Sequence, residues 1–139
     1  MGVSEGFFGT LAEEVGYPFN QIPTEAFISA AGGYGAGTLC GTLGVGAACI
    51  GTVCDKETSN KLLSELLKWY KKEEFPSYQP ENLNLPKTVA DSYLCEDSVG
   101  NFMAASGYAY NDPERKSRCA GVAAEVTKKI FEMLNEQMG

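Results

Sequence analysis

Apolar residues recur at three- and four-residue spacing along much of this chain, and the polar residues between them mark where the predicted helices begin and end. Phe7, Phe8, Leu11 and Val15 share one face of a first helix that Ser4 can cap and Gly16 can terminate. Ile22, Pro23, Thr24 and Glu25 read as a second start with proline in the first turn; Ala26, Phe27 and Ile28 continue it until Gly32 and Gly33 interrupt. A helical run from Ala36 to Val53 follows. Asp55 then caps the clearest amphipathic helix of this half, with Leu62, Leu63, Leu66, Leu67, Trp69 and Tyr70 as its apolar stripe and Lys61, Glu65, Lys68 and Lys72 facing water.

Phe75 to Pro86 contains Pro76, Pro80 and Pro86 without helical period, which predicts an ordered crossing loop with aromatic anchors. Beyond it, Leu94, Cys95, Val99, Phe102 and Met103 predict a helix from about Asp91 to Ala105. The last helix starts at Asp112, Pro113 and Glu114, with aspartate as cap and proline at the first position, and carries Cys119, Val122, Ala123, Val126, Ile130 and Leu134 on one side. No run alternates as a strand does. The predicted fold is all-α: residues 1–139 form a single compact, bundle-like domain of five or six helices around a glycine-rich central helix.

That central segment shapes several expectations. Gly33, Gly37 and Gly41 recur at i, i+4 and i+8, and Gly44, Ala48 and Gly51 extend a stripe of small residues along which another backbone can approach. A glycine costs a helix interior roughly 1 kcal/mol relative to alanine, so the stripe calls for a packing partner. Enclosure by the other helices is one such partner; a dimer seam or a cofactor pressed on the backbone is another. Ala26 to Cys54 carries no charge, but eight glycines and few large aliphatic residues make its transfer into lipid weak, and no membrane span is expected. Gly32 to Gly37 follows no apolar strand and precedes no lysine, so the phosphate-cradling contexts are missing.

Charge narrows the partners. Eighteen acidic against eleven basic residues give a net charge of −7, which opposes binding to nucleic acid or to anionic membrane surfaces. The first residues lack the basic and apolar segments of a secretory signal, and together with five cysteines they favour a cytoplasmic location, with the periplasm as the alternative for a chain whose signal has been removed. The absence of histidine and of C-x-x-C-H excludes c-type haem. Paired carboxylates such as Glu13 and Glu14, or Glu73 and Glu74, read as solvated charge.

The odd set of cysteines, at 40, 49, 54, 95 and 119, contains no C-x-x-C pair and points to free thiols or metal thiolates rather than a disulfide framework. On a regular helix Cys40 and Cys49 face about 180° apart, and Cys40 and Cys54 share a face but lie about 21 Å apart along the axis. One ligand at most can then come from this helix, leaving Cys95 and Cys119 as its natural partners. Both fall in the first two turns of predicted helices, where the helix dipole favours the thiolate. Cys49, within Ala47-Ala48-Cys49-Ile50, reads as a small buried hydrophobe. Cys54 is either exposed or a fourth ligand.

The segment Gly32-Gly33-Tyr34-Gly35-Ala36-Gly37-Thr38-Leu39-Cys40-Gly41-Thr42-Leu43-Gly44, then Leu66 to Tyr70, Phe75 to Pro80, Leu94 to Val99 and Glu114 to Ala120, occur in the order found in the C-GCAxxG-C-C redox-active family, and the chain resembles especially its split-Soret cytochrome c branch. The resemblance covers about Gly16 to Asn135. It implies a helical, dimeric domain whose cysteines bind an iron–sulfur cluster, [2Fe–2S] or [4Fe–4S], with Cys40, Cys95 and Cys119 as metal ligands and Cys54 as a further candidate. Three departures stand out: Phe19, Asn20 and Gln21 occupy the stretch where the family's first cysteine is expected, Thr42 stands where alanine is expected, and no haem-binding motif is present.

Three functions follow as alternatives. The first is a redox or electron-transfer accessory protein with an iron–sulfur-type centre, working with a redox partner protein. The second is a metal-free helical interaction module that dimerises or docks through the glycine seam. A thiol-based enzyme using Cys95 or Cys119 is disfavoured, because no histidine is available as base and no resolving cysteine pair exists; no catalytic residue is assigned.

Overall fold

The computed structural model describes residues 2–138. Five α-helices carry the architecture: α1 (Gly2–Glu14), α2 (Gly41–Val53), α3 (Lys56–Lys72), α4 (Cys95–Ser106) and α5 (Pro113–Met138). Two short 3-10 turns, Phe19–Gln21 and Thr24–Ala30, and a glycine-rich turn, Gly33–Gly37, lead from α1 into α2. The two-residue strands β1 (Glu74–Phe75) and β2 (Thr88–Val89) form an antiparallel ladder, with Glu74 opposite Val89 and Phe75 opposite Thr88. This small ladder closes the predicted crossing loop. Gln79 holds the loop from within, its amide donating to the Pro76 and Leu85 carbonyls while accepting from the Leu85 amide at 2.7 Å. Phe75 anchors the loop in the core, whereas Tyr78 is exposed.

α2 is apolar around most of its circumference, as a central helix must be, and packs against α1, α3 and α5. Leu43, Cys49 and Ile50 are fully enclosed together with Phe7, Leu66, Tyr70, Val126 and Ile130 in one apolar cluster. Gly46 lets Ile130 approach α2: a Cβ there would stand 3.0 Å from Ile130 Cδ1. α1 contributes Phe7, stacked on Phe131 at 5.1 Å, and Phe8, stacked on Phe27 at 5.8 Å.

The ends of the elements refine the expectations. Ser4 is not the first cap: α1 begins earlier, and the buried Ser4 hydroxyl donates to the Thr24 carbonyl at 3.3 Å. Val15, predicted on the apolar face, is exposed. Asp55 caps α3, accepting from the Thr58 amide at 2.8 Å. Asp112 precedes Pro113 as predicted, but its carboxylate accepts from the Ala109 amide at 2.7 Å and so ties the preceding turn. The chain between Asp91, at φ 52°, and Leu94 stays non-helical, so α4 begins at Cys95.

The largest correction concerns the glycine run. The predicted helix from Ala36 to Val53 begins only at Gly41, because Gly32, Gly33, Tyr34, Gly35 and Gly37 all adopt positive φ, a backbone that cannot continue a right-handed helix. The stripe through Gly33, Gly37 and Gly41 is therefore broken between a turn and a helix. No helix is long and apolar enough to cross a membrane among the described residues.

Two outcomes test this packing. Leu66, fully buried between α2 and α5, should cost about 2–5 kcal/mol of stability in urea denaturation when replaced by alanine, whereas Val15→Ala should lie within about 0.5 kcal/mol of the parent. Burial pushes the Cys49 thiol up to about 12 from its ordinary 9.0. The folded state then keeps a proton that the unfolded chain releases, so stability is full below pH 9 and is lost as pH rises toward 12. Cys49→Ala should flatten the fall of stability above pH 9 by about one proton's worth, measured as denaturation midpoints across that range.

Candidate metal centre

The site is built where two extended segments meet. Leu39 and Leu94 form an isolated antiparallel bridge; the Cys40 amide donates to the Tyr93 carbonyl at 2.8 Å and the Cys95 amide to the Thr38 carbonyl at 2.6 Å. Immediately after the bridge each chain turns into a helix, which makes Cys40 the cap of α2 and Cys95 the first residue of α4. Cys119 comes from the second turn of α5. Gly33 makes the junction possible: its φ is +60°, and a Cβ there would stand 2.6 Å from Cys95 Cβ and 2.7 Å from the Thr38 nitrogen. Gly41 abuts the Ala30 carbonyl and leaves no room for a side chain.

Cys40, Cys95 and Cys119 line one cavity of about 640 Å³, together with Gly33, Ser98, Arg115 and Arg118. The cavity continues between α1 and α5 past Gly2, Gly6, Ala123 and Phe131. Among the described residues no three Cys, Asp or Glu side chains already stand at metal-holding spacing, so the thiols share a chamber rather than a closed triad. Cys49 is sealed in the core. Cys54 caps the far end of α2, about 20 Å along the helix axis from Cys40 and outside the cavity, so the structure does not bring it to the other three.

Positive charge converges on the sulfurs. Arg118 is only 1% exposed; its guanidinium donates to Ser98 Oγ at 2.7 Å and reaches Cys119 Sγ at 3.8 Å, while its Nε has no partner. Arg115 lies over the Tyr110 ring, donates to the Tyr110 carbonyl at 2.6 Å and reaches Cys119 Sγ at 3.6 Å. Neither arginine has a carboxylate at ion-pair distance among the described residues. The helix-start position was expected to lower the Cys95 thiol. Instead burial, then the neighbouring Cys40 and Cys119, push it up, and the opposing pull of Arg115 and Arg118 does not reverse this.

Behind Cys40 stands a second polar group. The Tyr70 hydroxyl is 3.0 Å from Ser98 Oγ, and burial, then the neighbouring Cys40, hold its phenol far above the usual range. Thr42 Oγ1 lies 3.1 Å from the same sulfur. Sequence reasoning did not single out Arg118, Ser98 or Tyr70 as site residues, yet each carries a readable signal. Arg118 precedes Val122, Val126 and Ile130 at four-residue steps on the buried stripe of α5, Ser98 precedes Phe102 by four, and Tyr70 follows Leu62 and Leu66 at the same step. Polar groups in such places must find partners inside.

The chain is similar in sequence and fold to known proteins. The chain is 26% identical over 144 residues to the split-Soret cytochrome c of Desulfovibrio desulfuricans, a match that takes in 99% of this chain and 52% of the relative. Among solved structures it superposes with a TM-score of 0.90, at 26% identity, on one described as showing a novel iron centre in the split-Soret cytochrome c from that organism, over 99% of this chain and 61% of the other. The chain thus spans about half the length of the curated relative it matches. The family described as "Putative redox-active protein (C_GCAxxG_C_C)" matches residues 2–133, nearly the whole chain. This protein therefore belongs to the C_GCAxxG_C_C family of redox-active proteins.

Proposed function

We propose that Cys40, Cys95 and Cys119 bind an iron–sulfur centre in this cavity and that the protein serves electron transfer beside a larger redox partner. The observation that carries the reading is Arg118, a guanidinium buried without a carboxylate beside a chamber lined by three cysteines. A buried charge left unpaired costs several kcal/mol. Thiolates, or a thiolate-ligated centre with net negative charge, supply the compensation that the carboxylates of this acidic chain do not. The iron centre named for the solved relative supports iron as the metal, and thiolates are the usual ligands of iron–sulfur clusters.

The residues fit such a group. Two of the three thiols are fixed by backbone hydrogen bonds at the starts of helices, so the peptide geometry positions their Cβ atoms before any metal arrives. When bound, the centre would supply one-electron exchange. Arg115 and Arg118 can hydrogen-bond the Cys119 sulfur, draw negative charge from it and favour the reduced state. Cys95 must lose its proton on binding, so assembly favours higher pH. With Cys54 remote, the fourth position falls to a non-cysteine ligand or to a second copy of the chain, and a homodimer is part of the proposal. A reducing, cytoplasmic setting suits five free thiols. The rival reading as a metal-free module drew on the glycine seam, which the turn at Gly33–Gly37 interrupts.

Protein purified without oxygen should contain iron and acid-labile sulfide in stoichiometric amounts with broad visible absorbance. Alanine at Cys40, Cys95 or Cys119 should each remove most of the iron, while Cys49→Ala and Cys54→Ala should retain it. Colourless, iron-free wild-type protein, or retention of full iron after loss of any of the first three thiols, would contradict the assignment.

A further inference from the structure

The three cysteines occupy only one end of the cavity. From Cys119 its wall follows α5 as far as Phe131, about 18 Å along the helix axis. This arm lies between α1 and α5 and is faced with apolar or small residues, among them Val3, Gly6, Ala123 and Thr127. Glycine on the α1 side keeps it open, because a Cβ at Gly6 would stand 3.2 Å from Thr127 Cγ2. The arm carries no thiol and no carboxylate, so a metal at the cysteines leaves it unfilled. The whole cavity, about 640 Å³, has the volume of a pocket for a small organic ligand.

Charge at the cysteine end selects the head group of such a ligand. Of the residues lining the cavity only Arg115 and Arg118 are charged, in a chain whose net charge is −7. Neither has a carboxylate at ion-pair distance among the described residues, and the buried Arg118 Nε has no hydrogen-bond partner. A guanidinium presents a planar fork of N–H donors that a carboxylate meets with two parallel bonds. The centre proposed above leaves charge over. A doubly positive iron–sulfur core held by three thiolates carries one net negative charge, against two guanidiniums. A monovalent acid completes the balance, whereas an amine would add a third positive charge.

We propose that the cavity binds an alkyl carboxylate, with the carboxylate on Arg115 and Arg118 and the alkyl chain in the arm between α1 and α5. The acid is a second occupant of the chamber, beside the metal centre at Cys40, Cys95 and Cys119. Chain length then adds affinity, because each methylene removed from water contributes about fourfold. Head-group charge adds specificity, because a neutral or cationic head leaves the guanidiniums unpaired.

The test titrates anaerobically prepared protein of measured iron content with acetate, hexanoate and octanoate by isothermal titration calorimetry, with octan-1-ol and octylamine as head-group controls. Octanoate should bind wild type at a single site, at least about a hundredfold tighter than acetate and about tenfold tighter than octan-1-ol; octylamine should bind weakest. Arg115→Gln should remove most of the advantage of octanoate over octan-1-ol. Gly6→Leu, which fills the arm, should weaken octanoate about tenfold while the iron content stays unchanged. A flat response across the three acids would overturn the site, as would equal binding of octanoate and octan-1-ol by wild type or an unchanged preference in Arg115→Gln. If Gly6→Leu fails to fold, the chain-length series on wild type decides alone. Wild type that holds no iron contradicts the metal centre, and the same titration of that sample still decides the acid site, so the two failures are read separately.

Discussion

Two extended segments meet at Leu39 and Leu94, and the geometry of the cavity follows from that pairing. The backbone bonds at Cys40 and Cys95 fix the points at which α2 and α4 depart, so peptide geometry positions the Cβ atoms of both cysteines. Positive φ angles at Gly32, Gly33, Tyr34, Gly35 and Gly37 swing the chain into position before the bridge, and Gly33 keeps the space beside Cys95 clear. α5 adds the third thiol and, on its neighbouring residue, the buried guanidinium. An apolar core beneath holds these elements in register, because Tyr70, Ser98 and Arg118 belong to the same helices that bury Leu66, Phe102 and Val122.

The polar layer between core and cavity is unusual in its balance. A guanidinium without a carboxylate would ordinarily be selected against in a protein interior, since a hydrophobic residue of similar volume packs there without desolvation cost. A site whose compensating charge comes from sulfur, as proposed above, would offset that cost. The raised Cys95 thiol agrees with this from the other direction: burial and the neighbouring Cys40 and Cys119 resist its ionisation.

Much of this was readable from residues alone. The periodicity of Leu62, Leu66 and Tyr70, the Asp55 cap and the Pro113 start located α3 and α5, since these signals act locally. Cys40, Cys95 and Cys119 were legible as a set by resemblance, and the structure places them in one cavity. The start of α2 was misread because glycines at four-residue spacing satisfy a helical pattern and a left-handed turn equally well; only the tertiary demand at the bridge decides between them. Cys54 remained an open ligand for the same reason: spacing gives its distance from Cys40 along the helix, but not which end the other thiols approach. The role of Arg118 was hidden because its significance lies in a missing partner, and absence of a neighbour is a property of three dimensions.

The central claim, that iron is held by sulfur from these three cysteines, is tested most directly by X-ray absorption at the iron edge on protein prepared without oxygen. A first shell dominated by sulfur with iron neighbours beyond it, lost when Cys40, Cys95 and Cys119 are replaced together, is the predicted result. A first shell of nitrogen or oxygen, or a sulfur shell that survives the triple replacement, would contradict it.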